Sequence, residues 1–177
     1  MNRIEFWRDI PTSLGVFRLA EDTAGSIHGG WHHVGDTPGG GTEDTSLRDD
    51  LAEWVEDLAR GESRPVPDFE IPDGPTFFRD CWLVCRLIPA GGVLTYRELA
   101  TEAGRPTAIR AAAAAMRHNP TPLLVPCHRV VRTGGGLGGF AGRTAPTDQA
   151  VRLKRQLLEL EGCDAESLAH GGILCCS

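Results

Sequence analysis

The spacing of apolar positions changes along this 177-residue chain, and each change marks a different element. Residues 11–34 predict short strands joined by turns, with Ser13-Leu14-Gly15-Val16-Phe17-Arg18-Leu19-Ala20 the most strand-like stretch. Gly35 to Thr45, rich in Gly, Asp, Thr and Pro, predicts a loop. From Leu47 to Arg60 the period becomes helical: Leu47, Leu51, Trp54, Val55 and Leu58 share one face, and Gly61 stops the helix. Arg64 to Pro75 holds Pro65, Pro67, Pro72 and Pro75, which predicts an extended linker and places a domain boundary there.

Helical spacing returns at Thr76 to Leu87, with Thr76 as the expected N-cap and Pro89 and Gly91-Gly92 closing the segment. A short helix follows from about Thr95 to Ala103. Thr95 with Glu98 three residues later reads as a capping box, and Gly104 ends it. Pro106-Thr107 opens a third helix running to His118, so the two form a helix-turn-helix pattern. Five successive alanines, Ala111 to Ala115, leave this third helix nearly without side chains. Helix propensity or close core packing explains them. So does a helix that must press into a groove of DNA, with Arg110 as its one long group. Both readings stand at this point.

Composition narrows the class. Apolar residues make up 41% and charged residues 24%, as in a soluble globular protein. No apolar run reaches the roughly 18 residues of a membrane span, and the start lacks the apolar core of a secretory signal, so a cytoplasmic location is expected. The net charge of −6 argues against a polyanionic partner until it is divided. Residues 1–76 hold 16 acidic and 6 basic residues, net −10, whereas residues 77–177 hold 8 acidic and 12 basic, net +4. Either solvated charge is unevenly spread, or the second half alone faces nucleic acid. Lys154 is the single lysine among 18 basic residues.

The six cysteines, Cys81, Cys85, Cys127, Cys163, Cys175 and Cys176, are scattered through the second half, which disfavours a disulfide framework. They do not form a zinc spacing, residues 1–76 contain no cysteine, and His28, His32 and His33 alone are weak ligands. No metal and no cofactor are expected. The segment Asn119-Pro120-Thr121-Pro122-Leu123-Leu124-Val125-Pro126-Cys127-His128-Arg129-Val130-Val131 carries the chemistry. Asn119 before Pro120 ends the helix. Cys127 is flanked by a histidine and an arginine, and cationic neighbours favour the reactive thiolate. Histidine is the usual base, oriented by a third group. In an extended segment His128 would point away from its neighbour's sulfur, so a water could relay the proton. A buried structural cysteine beside a surface His-Arg pair explains the same dipeptide.

Pro-Cys-His-Arg-Val-Val at 126–131 resembles the signature of the O6-alkylguanine-DNA alkyltransferases. The resemblance extends in order over Gly92-Val93-Leu94-Thr95-Tyr96-Arg97-Glu98-Leu99-Ala100, Arg110, Ala115 to Pro120, Gly138-x-Phe140-x-Gly142, and Lys154 to Leu158 leading to Glu161-Gly162. It covers about residues 77–162. It implies that Cys127 accepts the alkyl group irreversibly, once per molecule. His128 would be the base acting through a water, Glu161 the orienting carboxylate, and Asn119 the holder of the turn. Tyr96 would help protonate the departing guanine. It implies base flipping through the minor groove, with Arg110 filling the vacated stack. Ala111, Ala114, Arg117, Arg129 and Thr95 would be further DNA contacts. Met116, Val130, Gly138, Phe140 and Ala141 would line the pocket for O6-alkylguanine, and O4-alkylthymine is a second possible substrate.

The implied fold is an α/β N-terminal domain, a small antiparallel sheet with a helix, followed by a mainly α C-terminal domain with a winged-helix-like helix-turn-helix. The expected boundaries are 1–76, 77–162 and a tail at 163–177 holding Gly171-Gly172 and Cys175-Cys176. The expected partner is double-stranded DNA carrying O6-alkylguanine, bound by a monomer. The chain departs from the family in having Phe140 where a tyrosine is common, Ala141 where a serine is common, and a longer stretch at 143–151. Three other readings remain: the related DNA-binding lesion sensors that lack the cysteine, a helix-turn-helix regulator, and a cysteine hydrolase using the Gly134-Gly135-Gly136 loop.

Overall fold

A computed structural model describes residues 2–32, 39–134, 136–140 and 148–163. The chain divides into two compact units. The first is Met1–Pro72 with Pro120–Leu124, and the second is Asp73–Asn119 with Val125–Ser177. Counting 120–124 with the first unit departs from the linear division expected above.

In the first unit β1 (Ile4–Thr12), β2 (Gly15–Asp22) and β3 (Ile27–His32) form an antiparallel meander. The two-residue β4 (Thr42–Glu43) adds parallel to β1, giving the order β3-β2-β1-β4. The sheet is therefore mixed, where an antiparallel one was expected. Ile10, Phe17, Leu19 and Ile27 are buried from the strands. Gly29 is required by this packing: a Cβ there would sit 2.8 Å from the Phe17 ring, which meets Trp31 edge-on. The Gly29 N–H also donates to the Pro120 carbonyl at 2.9 Å, which ties the 120–124 segment to this unit. Helix α1 (Asp49–Ala59) buries Leu51, Trp54, Val55 and Leu58 beside β1, matching the predicted face. It starts two residues late because Arg48 adopts a left-handed φ of 46°. Its guanidinium grips Asp50 at 2.8 and 2.7 Å.

In the second unit α2 (Thr76–Arg86) buries Phe77, Cys81, Trp82 and Cys85. Thr76 is its first helical residue and Pro75 stands at the cap position, with no side-chain cap. The Pro75 carbonyl receives the Phe78 and Arg79 N–H groups, so the expected Thr76 cap is not used. A two-residue strand β5 (Leu94–Thr95) leads into α3 (Tyr96–Glu102). The predicted capping box is present in both directions: Thr95 Oγ1 accepts from Glu98 N at 3.2 Å, and Glu98 Oε2 accepts from Thr95 N at 2.6 Å. Helix α4 spans Ile109–Arg117, starting later than Pro106-Thr107 suggested because those residues belong to the turn after Gly104. It packs against α2 and α3, and Trp82 Nε1 donates to the Ala115 carbonyl at 2.9 Å.

A single 3₁₀ turn at Cys127–Arg129 precedes β6 (Val130–Val131), which pairs parallel with β5. That pairing sets Leu94 beside Val130 and Thr95 beside Val131, so α3 starts next to the cysteine turn. Helix α5 (Gln149–Leu160) packs on the same turn. Residues 149–151 of the longer stretch form its first turn, while 141–147 lie outside the described residues. Cys163 is 4% exposed, clusters with Leu137, Val151 and Leu158, and its thiol donates to the Gly91 carbonyl. It therefore belongs to the core of this unit rather than to a tail. Residues 164–177, with Gly171-Gly172 and Cys175-Cys176, lie outside the described residues.

Candidate active site

Pro126 creates the site locally. Its ring fixes φ near −65°, and its observed φ of −78° and ψ of 63° are those of an inverse γ-turn. The turn is closed by Cys127 N–H donating to the Val125 carbonyl at 2.7 Å. The chain then tightens into the 3₁₀ turn, with Arg129 N–H on Pro126 O and Val130 N–H on Cys127 O. Asn119 Nδ2 donates to the same Val125 carbonyl at 2.7 Å. The segment is thus coiled twice, where an extended one was assumed.

Cys127 is 6% exposed. Burial pushes its thiol above the usual value, while a bond with the Asn119 side chain and the charge of Lys154 pull against that shift. The thiol is protonated at rest. The flanking cation Arg129 spends its donors elsewhere. Its Nε and Nη2 donate to the two Glu161 oxygens at 2.9 and 2.7 Å, and Nη1 donates to the Ile88 carbonyl. At 7% exposure, with donors of all three nitrogens engaged inside the protein, Arg129 is not a DNA contact. Thr95 is withdrawn from the DNA contacts on the same ground: it is 8% exposed and its hydroxyl caps α3.

His128 is fully enclosed, with its Nε2 3.0 Å from Glu161 Oε1. Burial would raise the Glu161 carboxyl, but the bonds from His128 and Arg129 prevail and hold it at about 2. Glu161 is therefore ionised and can only accept, so the His128 proton sits on Nε2. Burial also lowers the imidazole below its ordinary value, which keeps it neutral at physiological pH. Nδ1, the remaining basic nitrogen, is buried and has no hydrogen-bond partner among the described residues. A carboxylate, an oriented neutral imidazole and an adjacent thiol are the parts of an activated cysteine nucleophile.

Tyr96, the first residue of α3, is pushed by burial up to about 12 and so keeps its phenolic proton. Its hydroxyl lies 3.2 Å from where a Gly138 side chain would begin, and Gly138 has a φ of 74°. Glycine at 138 answers to both facts. Met116 and Phe140 are 5% and 4% exposed. Val130 has no exposed surface, and its carbonyl accepts from Lys154 Nζ at 2.5 Å. Ala141 lies outside the described residues.

Helix α4 divides its alanines by face. Ala112 and Ala115 are fully buried, while Ala111 and Ala114 are half-buried beside exposed Arg110 and Arg117. The spacing of 110, 114 and 117 puts these residues on one stripe. The sequence reading missed the part played by Lys154, which is fully buried. The signal was present: Lys154 interrupts the apolar stripe Val151–Leu158 of α5, seven residues before Glu161. Among the described residues no three His, Cys, Asp or Glu side chains cluster as a metal site, and no helix is long and apolar enough to cross a membrane.

Fold and site together define a class: a helix pair carrying an exposed arginine stripe, joined to a buried cysteine served by a histidine and a carboxylate. Residues 76–163 match the family model described as the 6-O-methylguanine DNA methyltransferase DNA-binding domain. A methylated-DNA–protein-cysteine methyltransferase of Salmonella typhimurium is 38% identical over 136 residues, covering 76% of this chain and 70% of the relative. The human protein of that name is 39% identical over 104 residues, 57% of this chain and 47% of its own. Among solved structures, the O6-methylguanine methyltransferase of Mycobacterium tuberculosis superposes with a TM-score of 0.74 at 29% identity, covering 90% of this chain and 93% of that one. A structure described as Mycobacterium tuberculosis OGT in complex with DNA gives 0.75 at 28% identity, covering 93% and 98%. The chain belongs to the methylated-DNA–protein-cysteine methyltransferase family.

Proposed function

We propose that this protein repairs DNA by direct reversal, moving the alkyl group of O6-alkylguanine onto Cys127 in one irreversible turnover. The observation that carries the reading is the neutral, enclosed His128, fixed by Glu161, beside a cysteine presented by the Pro126 turn. The Cys127 proton passes to His128 Nδ1, directly or through a water, and the sulfur attacks the alkyl carbon. The S–C bond forms as the C–O6 bond breaks, and the electron pair leaves on guanine, which takes up a proton. Tyr96, still protonated, is the donor suited to that last step. The net change turns thiol and O6-alkylguanine into thioether and guanine, and the thioether is the end point.

The substrate base must leave the duplex to meet a buried thiol, at a cost of a few kcal/mol. We propose that α3 and α4 act as a winged-helix-like helix-turn-helix. Ala111 and Ala114 would lie in the minor groove, where sequence readout is poor. Arg110 would fill the vacated stack and Arg117 would meet phosphate. Met116, Gly138 and Phe140 would form the pocket, Phe140 stacking on the base without hydrogen-bonding it. Cys127, His128, Glu161, Asn119 and Tyr96 all belong to one unit of one chain, which favours a monomer.

Peptide-resolved mass spectrometry after incubation with duplex DNA containing O6-methylguanine tests the proposal. Repair adds one methylene to the Cys127 peptide and leaves guanine in the DNA. A lesion sensor binds without the mass gain, a regulator shows no preference for the lesion, and a hydrolase turns over repeatedly.

A further inference from the structure

Thr95 and Val131 are partners in the parallel pairing of β5 with β6, so Tyr96 and Arg132 each follow directly from a paired residue. Tyr96 starts α3. Arg132 N–H donates to the Gly136 carbonyl at 3.3 Å and closes the loop that leads on to Gly138 and Phe140. The two side chains converge over Gly138: a Cβ there would lie 3.2 Å from the Tyr96 hydroxyl and 3.4 Å from Arg132 Cγ. Burial is the largest influence on Tyr96 and drives it up, while the Arg132 charge pulls the other way, as a cation close to a phenol does. Arg132 therefore stands at the rim of the proposed pocket, beside the group suited to protonate guanine.

Its guanidinium is uncommitted. Arg132 is exposed, and its side chain has no hydrogen-bond or ion-pair partner among the described residues. Other arginines of this unit are spent inside the protein. Arg129 is held by Glu161 and the Ile88 carbonyl, Arg79 meets Asp73 at 2.6 Å, and Arg105 lies over the Phe77 ring at 5.0 Å. The ionisable groups that face Arg132 are the phenol of Tyr96 on α3 and the like charge of Lys154 on α5. A planar cationic fork that finds no anion within its own chain suits an anion from outside, and phosphate fits that fork.

A base seated against Met116, Gly138 and Phe140 leaves its deoxyribose and the two flanking phosphates at the pocket rim. We propose that Arg132 binds a phosphate flanking the flipped nucleotide and so holds the alkylated base in the pocket. The inference rests on the proposed function and adds a contact distinct from Arg110, Ala111, Ala114 and Arg117 of α4. Those residues meet the duplex, whereas the Arg132 contact forms only once the nucleotide has turned out.

A cycle that pairs Arg132→Ala with the removal of one phosphate charge tests this. Binding is measured by fluorescence anisotropy in Cys127→Ser protein, where transfer does not deplete the complex. The duplexes carry O6-methylguanine with a natural backbone, or with a single neutral methylphosphonate 5′ of the lesion, 3′ of it, or several base pairs away. Arg132→Ala should weaken binding to the natural backbone roughly ten-fold and reduce the logarithmic salt slope by about one. Arg132→Lys should keep the slope. At one flanking position the methylphosphonate should weaken the parent but add little to the loss in Arg132→Ala, whereas the distant one should weaken both alike. Additive losses at both flanking positions, or an alanine variant that binds as tightly as its parent, overturn the proposal. Should Cys127→Ser not fold, the same cycle is run on the second-order rate constant of methyl transfer by the Cys127 protein. Additive losses in a parent that prefers the lesion sink only the Arg132 contact. A parent without that preference sinks the repair reading and this contact with it.

Discussion

Asp22 in the first unit and Glu161 in the second are both enclosed carboxylates, and their partners differ in kind. Asp22 accepts from the backbone N–H groups of Ala24 and Ser26 at 2.9 and 3.0 Å, from Asn2 at 3.3 Å, and pairs with His28 at 3.0 Å. Three of these partners lie in the link between β2 and β3 or just past it, so the carboxylate closes a turn. Glu161 gathers side chains 32 and 33 positions away, Arg129 and His128. The imidazole it holds keeps a buried nitrogen without a hydrogen-bond partner among the described residues. Leaving a buried acceptor open costs about 1–3 kcal/mol. Under the proposed function that open nitrogen is the base, and Glu161 is the group that orients it.

The comparison can be broken by substitution. Cys127→Ser should have the largest effect, abolishing methyl transfer while a gel-shift assay still shows binding to O6-methylguanine DNA. Loss of binding as well would mean that the cysteine is structural. Next, Glu161→Gln and His128→Asn should slow transfer by roughly 10²–10⁴-fold in single-turnover assays, the range of general-base catalysis. Asp22→Asn should leave the rate within about two-fold and cost stability instead, roughly 1–3 kcal/mol by denaturant unfolding. Equal rate losses at Asp22 and Glu161 would erase the distinction drawn above.

Acid unfolding sharpens the contrast at a smaller scale. Both carboxyls titrate lower in the folded chain than in the unfolded one, Glu161 at about 2 against an ordinary 4.5 and Asp22 below its ordinary 3.8. Their contributions are therefore full above those ordinary values and fade as the pH falls through the folded ones. His128, lowered by burial, adds a contribution that fades below 6.5. The melting temperature of Glu161→Gln should thus vary less with pH between about 4.5 and 2 than that of wild type. Asp22→Asn should flatten the profile only below 3.8. The smallest effect is expected at the surface: Arg117→Ala, which removes the proposed phosphate contact, should weaken DNA binding and reduce its logarithmic salt slope by about one.

Much of the local structure was legible because it depends on neighbours in sequence. The Thr95–Glu98 box, the helix stop at Gly104 and the buried face of α1 each follow from residues within four positions of one another. The misjudged ends have equally local causes, a left-handed Arg48 before α1 and a turn absorbing Pro106-Thr107 before α4. The site was half legible. Cys127 and His128 stood out as a motif, and Glu161 entered through family resemblance. The same motif misdirected Arg129, since no pattern in Cys-His-Arg tells whether a guanidinium faces solvent or a carboxylate 32 residues away.

Sequence alone determined the periods of the helices, the Thr95–Glu98 capping box, and a second half with net positive charge. Those are matters of backbone sterics and nearest neighbours. Tertiary structure decided the protonation of the thiol, the tautomer of His128, the inward turn of Arg129 and the enclosure of Lys154. Each depends on how much water is excluded and which distant charges replace it, and neither quantity exists until α5 packs on the turn that carries Cys127.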